Sequence, residues 1–370
     1  MGCESQVRRM IALLIPTGSD HDRTRIPTAT LSLIAVNVVI YFISNLLDYR
    51  HIAQTFGFIA AHPQPWQFLT HMFLHAGWPT DANAAWTDYV NSILHIGGNM
   101  LYLWFAGGDI EDVMGKGKFL LLYFASGVAS ALLYWLTAVV GHFPNLDEPC
   151  VGASGAIAGL LGYYLVRFPR FKIRMWFGAA IPIPFIMRQG ITRVSSLIFI
   201  GFWIVLQLVF GMMALHTGGA QVAYWGHIGG FAIGLAAALA TREWRNGEEE
   251  YLMKDADHLF YKQKWYPAME AYQRLAKRYP HCAGAHTKWA LCWECTGMFK
   301  RAEDVLLKAL TFYRENGWTD QAEEIDEELR SMNRKMTPPI PAPSPSTANP
   351  SPYPNLLFRK EFKWKGKSHD

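Results

Sequence analysis

The chain has 370 residues, of which 51% are apolar and 14% are aromatic, while only 17% are charged. Soluble domains carry about a quarter charged residues, so this composition argues against a wholly soluble protein. The net charge of +4 is modest and does not indicate nucleic-acid binding. Hydropathy divides the chain into an apolar part, residues 28–241, and a charged part from residue 242 onward.

The first 27 residues are predicted to be a cytoplasmic segment. They carry no secretory signal, because residues 1–22 are polar and lack a small-residue cleavage site.

Six apolar segments follow, and about 20 apolar residues are needed to cross a bilayer. The second and fourth segments are short and only partly apolar at their starts, which is typical of a protein that admits water part-way into the membrane. The predicted spans are residues 28–47, 93–108, 119–140, 151–166, 198–213 and 222–240.

Basic residues predict the orientation of these spans, because cytoplasmic loops are rich in Lys and Arg. Arg50 is the only Lys or Arg in the three alternate loops, whereas six such residues lie between the fourth and fifth spans. Both termini are therefore predicted to be cytoplasmic. Three polar motifs then fall at a similar depth near the outer face: His95 to Asn99, Gly152 to Ala156, and Trp225 to Phe231.

These motifs contain the groups that nucleophilic attack on an amide requires. Ser154 begins the fourth span, and a neutral hydroxyl needs a base within hydrogen-bond reach. His227 is the only histidine of the sixth span. No carboxylate within the spans is placed to orient it, so a Ser–His dyad is predicted rather than a triad. Close helix approach is expected from small-residue stripes, which include Gly152, Gly155, Gly226 and Gly230.

An acyl-transfer site also needs donors for its oxyanion. His95 and Asn99 are four residues apart and share one face of the second helix, with Gly97 and Gly98 leaving room for close packing.

Each motif has a structural alternative. The serine string can arise by chance in glycine-rich helices, a lone histidine can be a packing residue, and the His95/Asn99 pair can bond a neighbouring helix. The conjunction of all three favours catalysis.

The stretch from Pro65 to Leu239 resembles the rhomboid intramembrane serine proteases. The resemblance rests on Trp66 to Thr70, Phe73 to Trp78, His95 to Asp112, Gly152 to Leu160 and Gly226 to Gly234. It implies that Ser154 is the nucleophile, His227 the base, and His95 and Asn99 the oxyanion donors. Three features depart from the family, one of them the absence of the Trp-Arg pair that some members carry in the first outer loop. Residues 79–93 look inserted, and Ala158 stands where some members stack an aromatic ring on the histidine; Tyr224 or Trp225 could substitute.

No metal or cofactor is predicted. His71 and His75 form an HxxxH pair, but Met72 occupies the position of the glutamate that a zinc hydrolase needs. Cys292 and Cys295 form a CxxC with no second ligand pair and are interpreted as packing residues.

The charged part repeats with the 34-residue period of tetratricopeptide motifs. Trp265 aligns with Phe299, Ala268 with Ala302, and Tyr272 with Leu306. Residues 250–335 are therefore predicted to form helical repeats that bind a protein partner, the alternative being a plain helical hairpin. Residues 336–370 are predicted to be a disordered Pro/Ser-rich tail with a basic end.

The predicted fold class is all-α: a six-transmembrane-helix rhomboid bundle, residues 28–241, followed by a small cytoplasmic repeat region. The predicted function is an intramembrane serine endopeptidase that cleaves single-span proteins near the outer boundary of a bacterial inner membrane. The alternatives are a pseudoprotease that binds transmembrane helices without cleaving them, and a transporter, which the scarcity of mid-span charges disfavours.

Overall fold

The computed structural model describes residues 11–79, 84–141, 145–180, 187–217 and 223–336. The chain separates into two compact units, one ending at Gly247 and the other beginning at Glu248. Each unit has its own buried aromatic residues, such as Tyr123 and Tyr164 in the first and Tyr272 and Tyr313 in the second.

The first unit is dominated by helices, and the predicted all-α class is confirmed. In chain order they are α1 (Thr28–Leu46), α2 (Tyr49–Phe56), α3 (Gln67–Thr70), α4 (Trp86–Tyr102), α5 (Gly108–Met114), α6 (Lys116–Val140), α7 (Ser154–Arg167), α8 (Ser196–Thr217) and α9 (Tyr224–Ala240). Each of the six predicted spans overlaps a long helix of this series, namely α1, α4, α6, α7, α8 and α9. Among the described residues, α1, α6 and most of α8 are long and apolar enough to cross a bilayer, and α9 is a shorter apolar helix.

The second and fourth spans start at positions other than predicted. The second span starts earlier than predicted, at Trp86, because the Asp88 carboxylate accepts the Ala85 N–H at 3.1 Å and caps the helix. A π-helical turn, Leu103–Gly107, then joins α4 to α5, which ends at Met114 and is followed by Gly115 with a φ of 77°. The fourth span begins later than predicted, at Ser154, because Gly152 has a φ of 136° and cannot belong to a helix.

The predicted insertion, residues 79–93, contributes mainly to α4; its residues 80–83 lie outside the described residues. Ser92 donates a hydrogen bond to the Ala76 carbonyl at 2.6 Å, and its hydroxyl lies 2.8 Å from that of Tyr41. The Trp78 indole N–H donates to the same Tyr41 oxygen at 2.8 Å. These bonds attach the early turns of α4 to α1 and to the preceding loop.

Glu111 of α5 caps the opposite end of α1. Its carboxylate accepts hydrogen bonds from the backbone N–H groups of Ala29 at 2.9 Å and Thr30 at 2.7 Å. The first turn of a helix has no internal acceptors for its N–H groups, and its positive dipole end attracts a carboxylate. This residue therefore fixes the start of α1 against the end of the second span.

Two neighbouring carboxylates hold the segment that precedes α1. Asp109 accepts a hydrogen bond from the Ser19 hydroxyl at 2.6 Å and pairs with Arg23 at 2.7 Å. Asp112 accepts the Thr24 and Arg25 N–H groups at 3.0 and 2.9 Å. Buried carboxylates need such partners to offset their lost hydration.

A three-stranded antiparallel sheet was not expected from the sequence. Its strands, in the order β1-β2-β3, are β1 (Ile11–Ser19), β2 (Lys172–Ala180) and β3 (Met187–Ser195). Strand β1 comes from the predicted polar N-terminal segment, and Ile15 pairs with Trp176. A strand whose partner is so distant in sequence leaves little local signal.

The second unit contains the helices that follow α9, apart from the first residues of α10. They are α10 (Glu243–Tyr261), α11 (Trp265–Arg278), α12 (Ala283–Cys295), α13 (Phe299–Glu315) and α14 (Thr319–Met336). Helices α11 and α13 start 34 residues apart (299 − 265), and each follows a left-handed residue, Gln263 or Gly297. The aligned residues Ala268 and Ala302 are both fully buried. The tetratricopeptide-like assignment stays a prediction.

Candidate active site

Glycines bring the backbones of α7 and α9 into direct contact. A Cβ added at Gly230 would overlap the carbonyl of Gly155, and one at Gly234 would overlap that of Gly159. A Cβ at Gly155 would likewise overlap the Ser130 side chain of α6. Small residues permit this close approach between membrane helices. The distance between the two helices is therefore set by main-chain contact.

This contact brings Ser154 and His227 together, although they are 73 residues apart in sequence. The Nε2 atom of His227 lies 2.8 Å from the Oγ atom of Ser154, a normal hydrogen-bond distance. Ser154 is the first residue of α7. Gly226, which precedes the histidine, packs closely on α6, because a Cβ added at Gly226 would lie 2.9 Å from Ser130 Oγ. A hydroxyl bonded to an imidazole nitrogen is the arrangement of an activated nucleophile.

His95 faces the same small space from α4. Its Nδ1 atom accepts the Ala76 backbone N–H at 3.0 Å, so the neutral ring carries its proton on Nε2. A Cβ added at Gly152 would lie 3.2 Å from His95 Nε2 and 3.6 Å from Ser154 Oγ. The absence of a side chain at Gly152 thus leaves a space bordered by a donor and by the serine hydroxyl. The Ser154 N–H, at a helix start, lacks an intrahelical acceptor and is a second candidate donor.

Asn99 is a less direct candidate for an oxyanion donor than His95. It is buried one turn after His95, and its Nδ2 atom donates to the His95 carbonyl at 2.7 Å. An amide nitrogen has two N–H groups, so one remains for a ligand. Gly97 and Gly98 do not mediate the expected close packing: an added Cβ at either position has no described atom within 4 Å.

The structure adds two residues that sequence reasoning missed, Gln207 and Trp203 of α8. The Oε1 atom of Gln207 lies 2.8 Å from His227 Nδ1, and the Trp203 ring centroid lies 5.9 Å from that of His227. The two aromatic residues suggested by the sequence as stacking partners of His227 have other contacts: Trp225 donates to the Gly211 carbonyl, and the Tyr224 ring packs on Phe210. An amide alone in a long apolar span was the signal available in the sequence.

The HxxxH and CxxC motifs of the sequence lie among packing and hydrogen-bond contacts. His71 bonds the carbonyl of Gln67 at 2.7 Å, and the His75 ring lies edge-on to His95 with centroids 5.4 Å apart. Burial raises the pKa of the Cys292 thiol to about 12, which disfavours the thiolate that a metal needs. Within the described ranges no three His, Cys, Asp or Glu side chains cluster in a way that could hold a metal ion.

Residues 90–244 match the family model of the Rhomboid domain. This part of the chain is a rhomboid domain. It is 31% identical over 146 residues to the rhomboid protease GluP of Bacillus subtilis, covering 38% of this chain and 24% of that protein. It is 27% identical over 223 residues to the rhomboid protease GlpG of an Enterobacter species, covering 59% and 64%.

A mitochondrial relative is also similar to the rhomboid region. Rhomboid protein 1 of Saccharomyces cerevisiae is 32% identical over 133 residues, which cover 33% of this chain and 35% of that protein. The chain spans less than two thirds of the length of each of these relatives. The similarity therefore rests on the rhomboid domain, which contains all four predicted site residues and Gln207.

Proposed function

We propose that this protein is an intramembrane serine endopeptidase that cleaves single-span membrane proteins near the outer boundary of the bilayer. The observation that carries the proposal is the 2.8 Å contact between His227 Nε2 and Ser154 Oγ beside the space at Gly152. The similarity to proteins named rhomboid proteases supports the same reaction class.

The geometry supports the following chemistry. Ser154 Oγ attacks the scissile carbonyl carbon while His227 Nε2 takes the hydroxyl proton, and the tetrahedral oxyanion accepts hydrogen bonds from His95 Nε2–H and the Ser154 N–H. The second N–H of Asn99 is the third proposed donor. The histidine then returns its proton to the leaving amine, and water hydrolyses the acyl-enzyme by the reverse sequence.

The reaction is tested by incubating the purified protein with a panel of single-span reporters in detergent and in vesicles. We expect cleavage of at least one reporter within or next to its apolar segment, located by mass spectrometry of the products. The pseudoprotease alternative predicts that reporters co-purify with the protein and remain intact. Binding without cleavage across the panel would overturn the proposal.

We also propose that both termini are cytoplasmic, in a bacterial inner membrane. The support is the lysine and arginine distribution, with Arg170, Lys172, Arg174 and Arg193 in the loop that contains β2 and β3. The second unit would then lie in the cytoplasm. There α12 and α13 border a cavity of about 350 Å³ whose lining includes Trp289, Trp293 and Phe312, which supports a protein-binding role for the repeats.

Fusion reporters test this topology. A fluorescent protein that matures only in the cytoplasm should be bright after Asp370. An alkaline phosphatase inserted between Pro79 and Trp86 should be active, because it would lie outside the membrane. The reverse pair of signals would contradict the orientation, and the matched control is phosphatase fused after Gly115, where we expect no activity.

A further inference from the structure

Both ring nitrogens of His227 have a hydrogen-bond partner. Its Nε2 atom bonds Ser154, and its Nδ1 atom lies 2.8 Å from Oε1 of Gln207. Gln207 is only 8% exposed, so its amide is well shielded by the protein. A buried polar side chain in an apolar helix is costly unless it is hydrogen-bonded, and this one meets the imidazole.

A second side chain of the same helix contacts the histidine ring. Trp203 lies one turn before Gln207, so both occupy the same face of α8. Its ring is tilted 36° to that of His227, with the centroids 5.9 Å apart, and it also packs against Phe231 at 6.4 Å. Helix α8 therefore restricts the histidine ring by contact and by a directed hydrogen bond.

We propose that Gln207 is a positioning residue that holds His227 in the tautomer required of the general base, giving a Ser154–His227–Gln207 relay. This inference rests on the proposed protease function and deepens it. The glutamine touches no substrate atom and acts through the histidine. Trp203 supports it by limiting rotation of the ring.

The argument follows from the donor and acceptor inventory. An amide oxygen only accepts, so with Oε1 toward Nδ1 the neutral imidazole must carry its proton on Nδ1. Nε2 is then the unprotonated nitrogen and accepts the Ser154 O–H, which is the direction that activates the nucleophile. The opposite tautomer would donate from Nε2 to the serine and could not take its proton.

The amide also suits its location. When His227 takes the serine proton, both ring nitrogens become donors, and Gln207 Oε1 continues to accept from Nδ1. A carboxylate would stabilise that cation more strongly, but its desolvation inside a bilayer costs several kcal/mol in the resting state. A neutral acceptor orients the base without that cost.

The test uses the full-length protein in detergent and a fluorophosphonate probe, which reports serine reactivity without a peptide substrate. Gln207→Leu keeps the approximate size and removes the acceptor, and Gln207→Glu keeps an accepting oxygen in either protonation state. We expect Gln207→Leu to label roughly 10- to 100-fold more slowly than the wild type, as orienting partners of a catalytic group typically contribute. Gln207→Glu should stay within about threefold.

The matched control is Asn37→Leu, which removes another buried amide. The Asn37 side chain donates to the Leu33 carbonyl of its own helix, α1, away from the histidine. Its labelling rate should equal that of the wild type. Thermal unfolding of each variant separates loss of reactivity from loss of fold, and Gln207→Met replaces Gln207→Leu if the leucine protein does not fold.

The outcomes are distinguishable. Wild-type labelling at Ser154, with slow Gln207→Leu and fast Gln207→Glu, supports the relay. Wild-type labelling with an equally fast folded Gln207→Leu, or with both Gln207 variants equally slow, overturns it in favour of packing alone. If the wild-type protein is not labelled at Ser154, the proposed function fails and the relay falls with it.

Discussion

Replacing Ser154 with alanine is expected to abolish reporter cleavage while leaving the protein folded. The change removes one oxygen from the first residue of α7 and adds nothing to the contact between α7 and α9. In soluble serine proteases loss of the nucleophile costs on the order of 10⁶ in kcat, so residual cleavage should be undetectable. The measurement is the initial rate of product formation, compared at equal amounts of folded protein.

A matched variant makes this result specific. Ser130→Ala also removes a buried hydroxyl close to the site, from α6, but Ser130 has no proposed chemical role. It should retain cleavage within about tenfold, as expected for a change in packing alone. Cleavage by Ser154→Ala above about one per cent of the wild-type rate would remove Ser154 from the mechanism.

The second large effect is expected at the oxyanion donors, and it should differ between His95 and Asn99. His95→Ala should lower kcat by about 10²–10³ with little change in KM, because its Nε2–H faces the space beside Ser154. Asn99→Ala should have the smaller effect, because one of its N–H groups already bonds the His95 carbonyl. Steady-state cleavage of one reporter measures both constants.

The control for these variants is Gly98→Ala on the same helix. An added Cβ there has open space among the described residues, so cleavage should be unchanged. A reversed order, with Asn99→Ala the more damaging, would mean that Asn99 is the principal donor. Unaltered kcat in both alanine variants would show that the oxyanion is stabilised elsewhere.

Much of the first unit could be predicted because its signals are local. Apolar segments of membrane length indicated the helices, and the glycine stripes around Gly155 and Gly230 indicated which helices approach each other. The space at Gly152 could not be foreseen, since it depends on a φ of 136° that only the folded chain defines. The sheet was missed for a similar reason: Ile15 of β1 pairs with Trp176 of β2, and the sequence around Ile15 does not indicate a strand partner so far away.

The site was predicted less completely than the fold. The positions of Ser154 and His227 follow from their motifs. The sequence criteria for a group that orients His227 were a carboxylate within the spans or an aromatic ring of the same helix, Tyr224 or Trp225. Gln207 belongs to a different helix and is uncharged, so neither criterion finds it. Which face of α8 meets α9 is decided by packing, and in the sequence of α8, apolar almost throughout, the Gln207 amide is the signal for that face.

The cap that Glu111 provides for α1 has a consequence for biosynthesis. The last residue of α1 is synthesised more than 60 residues before Glu111, so the Ala29 and Thr30 N–H groups must at first lack this acceptor. The cap at the start of α1 can therefore form only after the residues of the second span have been made. Completion of the first helix's N-terminal cap thus depends on a carboxylate 82 positions downstream of Ala29.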